Sequence, residues 1–168
     1  MGKLIAGFLI GIVLVLGAEY LFLTQGGMPV ATRGGPLPLE KFLTSRALHV
    51  AMAKDADKPS PLPASGANLA AGAKVYATHC EVCHGKPDEK APGAIARGMF
   101  PRPPQLMPPH KGVTDDPVGE TYWKVKNGIR LTGMPGFEQS LTDEQLWQVS
   151  LLLLKANRLP AEAKAALR

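Results

Sequence analysis

The chain has 168 residues, 45% of them hydrophobic and 20% charged, with a formal net charge of +5 and two cysteines. That length allows one domain of ordinary size with extensions, and the composition fits neither a membrane bundle nor a disordered chain. Residues 1–65 carry six basic and four acidic side chains and residues 66–168 carry thirteen and ten, with no Lys/Arg run and only 6% aromatics. This mild, spread basicity gives no footprint for nucleic-acid binding.

Residues 4–23 read LIAGFLIGIVLVLGAEYLFL, twenty positions with one charge, Glu19. At a rise of ~1.5 Å per residue they reach about 30 Å, the thickness of a hydrocarbon core. Lys3 in front of the run keeps the N-terminus cytoplasmic and sends the rest outward. The competing reading is a cleaved signal peptide. Against it, Leu16 is large where cleavage wants a small residue, and the apolar run continues through Leu23. The expectation is a single-pass anchor over residues 1–23 in an inner membrane, with the remainder in the oxidising periplasmic space.

Residues 24–37 form a Gly/Pro-rich connector, and residues 38–54 read as a short helix with Leu39, Phe42, Leu43, Arg46, Ala47 and Val50 on overlapping faces. Residues 55–67 are again polar and proline-rich. The expected division is therefore a linker with a short amphipathic helix over 24–65 and a compact domain over 66–168. Within that domain a helix is predicted from about Asn68 to His79. Residues 86–112, with seven prolines and three glycines, read as one long loop. Asp116 and Pro117 suit the cap and first position of a helix running to Asn127, which Gly128 stops. Thr142 and Gln145 make a capping box for a helix running to about Ala156, with Pro160 beyond its end. The hydrophobic spacing is helical throughout, without strand alternation. The fold class is thus all-α, three to five helices in the domain, and so long a structureless loop needs a ligand to pack on.

The chemistry concentrates in HCEVCH, residues 79–84, which holds both cysteines, Cys80 and Cys83. A structural zinc wants four ligands, usually two such pairs, and no second pair exists. His49 and His110 are not spaced as its substitute. A thioredoxin-like dithiol would need strands around it, and a plain disulfide leaves His84 unexplained. C-x-x-C-H is the attachment pattern of a c-type haem. One helical turn brings two thiols to one macrocycle edge for addition to the two vinyl groups, and the next residue places an imidazole under the iron. The expected cofactor is one haem c per chain, attached covalently through Cys80 and Cys83 with His84 as proximal ligand. The second ring nitrogen of His84 needs an acceptor, for which a proline carbonyl in the following loop is the candidate.

Methionine, histidine or nothing can take the sixth position. Met134 sits in LTGMPGF, a Gly/Pro-flanked loop between two helices, and is the favoured ligand. Met99 and Met107 in the earlier loop are rivals, better suited to packing. His79 adjoins Cys80 and cannot reach the opposite face of the same iron, and His110 reads as a surface loop residue.

On these residues the chain resembles the class I cytochrome c family. The resemblance covers residues 66 to about 158. It rests on GAKVYATHC leading into CEVCH, on PRPPQL, on GMPGF and on LTDEQLWQVSLLLL. It implies a cytochrome c-like fold with the first and last helices in contact, Gly72 and Tyr76 on one and Trp147 on the other. It implies Cys80 and Cys83 as haem attachments and His84 and Met134 as axial metal ligands. Pro104 and Leu106 match the family's Pro-x-Leu loop, which makes the Pro104 carbonyl the acceptor for His84, with Pro92 and Pro103 as rivals. Tyr122 and Trp123 either wall the haem or fill the core.

The expected function is electron transfer without enzymatic activity. The protein would serve as a membrane-tethered carrier or as a fixed haem subunit of a respiratory, photosynthetic or dehydrogenase complex. Its partners would be redox proteins or other subunits of a membrane complex, reached in part electrostatically through Lys86, Lys90, Arg97 and Arg102. The alternative is a gas-binding or peroxidatic haem protein with a labile sixth ligand, against which Met134 argues.

Overall fold

The computed structural model describes residues 1–168 and is all-helical. It divides into two compact units, Met1–Pro38 and Leu39–Arg168. The first unit is built on α1, Gly2–Thr24, in which no residue is buried. This helix is long and apolar enough to cross a membrane, a property that anchors and signal sequences share.

The second unit contains α2 (Glu40–Met52), α3 (Gly66–His79), α4 (Glu81–His84), α5 (Ala94–Gly98), α6 (Val118–Asn127), α7 (Asp143–Leu154) and α8 (Ala161–Ala166). Local chemistry sets the ends. Ser65 caps α3 by accepting from the Asn68 N–H at 3.3 Å, so that helix begins two residues before the predicted Asn68. Thr142 and Gln145 form the predicted capping box of α7. Gly128 closes α6 at a φ of 69°, which a glycine adopts without steric cost.

Other features also differ from the predicted ones. Pro117, not Asp116, is the cap of α6, and the Asp116 carboxylate instead lies 3.7 Å from Lys124 Nζ. The helix predicted to reach Ala156 ends at Leu154, and a 3-10 turn over Ala156–Arg158 follows. The proline-rich segment 86–112 is not wholly loop, because α5 forms within it around the buried Ala96. Beyond Pro160, α8 packs on α3, with Ala163 and the capping Leu167 both buried. Six residues are too few to give a periodic signal, so tertiary packing makes that helix.

The core lies where α3 meets α7 and α8, with α6 against α7. A side chain at Gly72 would run into the Gln148 carbonyl of α7, so glycine permits the close crossing. Tyr76 and Trp147 are fully buried there. Tyr122 stacks on Trp147 with ring centroids 3.9 Å apart and planes 10° from parallel. Segment 39–58, expected as part of a linker, packs into this unit. Met52 is buried, Gly119 of α6 lies against the carbonyls of Asp55 and Ala56, and Lys58 Nζ sits 5.1 Å from the Tyr122 ring centre.

Candidate haem site

The end of α3 and the single turn of α4 bring the reactive side chains together. The Cys83 and His84 amides donate to the Cys80 carbonyl at 3.1 and 2.9 Å. This tight turn puts Cys80, Cys83 and His84 on one cavity of about 300 Å³. Neither cysteine is in a disulfide, and both are half-buried. Burial pushes the Cys80 thiol up to about 12, and the neighbouring Cys83 adds to the rise.

His84 is held from the proline-rich segment. Its Nδ1 lies 2.8 Å from the Pro104 carbonyl, and since a carbonyl only accepts, Nδ1 carries the proton and Nε2 keeps its lone pair. Of the rival acceptors, Pro92 takes the Arg97 guanidinium at 2.7 Å. The Leu106 amide donates to the His84 carbonyl at 3.0 Å, and Gln105 Nε2 donates to the Cys83 carbonyl at 3.3 Å. Burial holds the His84 pKa below its ordinary value, while the Pro104 bond pulls the other way. The neutral imidazole, the form that binds a metal, is therefore favoured.

Met134 lines the same cavity from the loop after α6. Thr132 shapes that loop: its hydroxyl donates to the Ile129 carbonyl at 2.6 Å and accepts from the Met134 amide at 3.1 Å. The Met134 carbonyl accepts from the Ile129 amide at 3.1 Å. Of the rival methionines, Met107 is buried in the core and Met99 lines the cavity, its methyl against Gly133. His110 is turned away, its Nε2 2.9 Å from the Glu89 carbonyl. His79 lies on the cavity with its ring edge-on to Phe137 at 5.8 Å.

Pro104 and Leu106 line the cavity as expected, but Tyr122 and Trp123 do not. The phase of α6 decides this. Thr121, Lys124 and Val125, at i, i+3 and i+4, share the cavity face, which turns the two aromatics elsewhere. Tyr122 goes to Trp147 and to the Asp143 carboxylate, to which its hydroxyl donates. Among the lining residues not assigned to the site from sequence are Leu48 from α2 and the cation Lys124, and Arg102, expected to face a partner, lines the cavity as well. For Lys124 the spacing from Thr121 and Val125 was the available signal. For Leu48 there was none, since nothing local says that α2 reaches the cavity.

This donor set fits a haem c. Two thiols and an imidazole with a free nitrogen share one wall, thioethers line the cavity, and most of the remaining lining is apolar. Arg102 supplies positive charge suited to the cofactor's carboxylates, whereas the Lys124 ammonium is already paired with Asp116 and Glu120 at 3.7 and 3.6 Å. The family model described as "Cytochrome C oxidase, cbb3-type, subunit III" matches residues 67–151. The curated quinohemoprotein alcohol dehydrogenase ADH IIB of Pseudomonas putida is 28% identical over 98 residues, which are 57% of this chain but 12% of that relative. No solved structure matches.

Proposed function

This chain belongs to the cbb3-type cytochrome c oxidase subunit III family of c-type cytochromes, and from that premise we propose that it carries electrons as a membrane-anchored monohaem cytochrome with His84 and Met134 as axial ligands. The observation that carries the reading is the convergence of Cys80, Cys83, His84 and Met134 on one cavity. When bound, the haem supplies a reversible one-electron change at iron. The chain supplies the rest. Cys80 and Cys83 hold the cofactor through two thioether bonds. The Pro104 carbonyl fixes the tautomer and orientation of His84. Met134 would supply the second side-chain ligand to the iron, leaving no position there for substrate, and its thioether would raise the reduction potential relative to a second histidine. The apolar lining keeps water from the iron. In this reading α1 is an uncleaved anchor and the second unit lies in the periplasm. The family is named for an oxidase subunit and the relative is a quinohemoprotein dehydrogenase. Both names suit a domain that relays electrons to a redox partner or to a neighbouring subunit.

Attachment is tested by denaturing electrophoresis with haem staining. The wild-type band should keep its haem through acid–acetone extraction. The double variant Cys80→Ala/Cys83→Ala should show none. Covalent haem in that variant would refute the assignment.

A further inference from the structure

Helix α2 has two apolar faces, and the domain uses one of them. Leu48 lines the haem cavity and Met52 is buried. On the other side Leu39, Phe42, Leu43 and Val50 are 69%, 68%, 59% and 61% exposed. At about 100° per residue, Leu39, Leu43, Arg46 and Val50 fall in one line, with Phe42 beside it and Leu48 and Met52 opposite. Exposed apolar residues scattered singly need no explanation, but three on one short helix face with a fourth, Leu39, at its cap do.

We propose that this outward stripe lies in the interface of an anionic bilayer, so that α2 beds the haem domain on the membrane surface. The proposal rests on the anchor reading of α1. Two further observations select lipid as the occupant. The first is charge: Arg46 lies within the stripe, Lys54 follows it and Arg33 precedes it in the connector, while of the nearby acids Glu40 opens the helix and Asp55 and Asp57 lie beyond its end. Cations beside Phe and Leu characterise helices that lie in the headgroup region of anionic membranes. Arg46, within the stripe, can lay its methylenes along the apolar face and carry its guanidinium to a phosphate. The second is the tether. Only residues 25–39 separate α1 from α2. A flexible chain of that length has an end-to-end distance of roughly 20 Å. The bilayer that α1 enters is therefore always within reach of α2, and a weak surface affinity suffices because the contact is intramolecular. Since Leu48 and the stripe are on opposite sides of α2, the helix would lie between the haem cavity and the lipid.

Hydrogen exchange on the full-length holoprotein in vesicles tests this. The two compositions are phosphatidylcholine alone and phosphatidylcholine with phosphatidylglycerol. Amides of 40–52 should slow in the anionic vesicles and lose that extra protection in high salt, while α1 stays protected in both. The triple variant F42S/L43S/V50S should lose the α2 protection while α1 protection and the haem spectrum stay unchanged. Equal α2 exchange in both compositions, with α1 protected, overturns the proposal and leaves the anchor standing. Protection seen only in native membranes, not in lipid vesicles, assigns the stripe to a protein partner and overturns it too. An unprotected α1 refutes the anchor and the proposal together.

Discussion

The His84 and Met134 sides of the cavity are built on different plans. On the His84 side, bonds run between residues about twenty positions apart, His84 to Pro104, Leu106 to His84, Gln105 to Cys83 and Asp88 to Pro108, and the buried Tyr76 hydroxyl ties the Gly85 carbonyl to the core at 2.7 Å. On the Met134 side, the loop is tied to itself through Ile129, Thr132 and Met134, and to the end of α6 through the Phe137 and Glu138 amides. A wall cross-tied to the core opens only when the domain unfolds. A loop closed on itself can open locally at a smaller free-energy cost. The difference teaches where ligand loss should occur: at methionine, with histidine retained. It also locates the gas-binding alternative, which becomes a matter of how firmly one loop holds one thioether.

The largest effect should come from removing that thioether. Met134→Ala should abolish the weak ferric charge-transfer band of a Met–iron bond and open the iron to carbon monoxide. The potential should fall by on the order of 0.1 V, within the roughly 0.8 V that axial ligands control. Absorption spectra and redox titration report all three. Met99→Ala is the necessary control, because Met99 lines the same cavity. If that variant loses the band and Met134→Ala keeps it, the ligand is assigned to the wrong loop.

The opposite wall should fail differently. Tyr76 is fully buried, and Tyr76→Phe strips the donor from the Gly85 carbonyl next to His84. Loss of such a buried bond costs about 1–3 kcal/mol of global stability. Denaturant titration should register that loss while the Met–iron band stays intact. A variant of unchanged stability that binds carbon monoxide would reverse the comparison.

How much of this was legible beforehand follows the range of each signal. Cys80, Cys83 and His84 announce themselves because attachment chemistry fixes their spacing within one turn. The Thr142–Gln145 box and the Gly128 stop are equally local. Pro104 and Met134 came from the family resemblance combined with loop chemistry, and the structure brings both to the cavity. What was left open or out of reach is a matter of phase and of distance. Tyr122 and Trp123 are bulky and near the right place, but the turn of α6 gives the cavity to Thr121, Lys124 and Val125. Leu48 lies 32 positions before Cys80 and α8 begins 81 positions after it. Both owe their place to packing partners that no local pattern names.

The smallest effect is the most discriminating. Thr132→Val keeps the shape of the side chain and removes both hydroxyl bonds, to the Ile129 carbonyl and from the Met134 amide. The hydroxyl is only part-buried, so water can serve some of the freed groups and the loop should weaken by about 1 kcal/mol. That is roughly a fivefold change in an equilibrium constant. If the loop opens as its own unit, the whole of that change should fall on thioether dissociation. Carbon monoxide or imidazole would then displace Met134 about fivefold more readily, with the denaturation midpoint almost unmoved. If the loop instead opens only with the domain, the same substitution should shift the midpoint and leave ligand displacement as it was. The two sides of the cavity would then be one cooperative structure, and the labile-methionine route to gas binding would close.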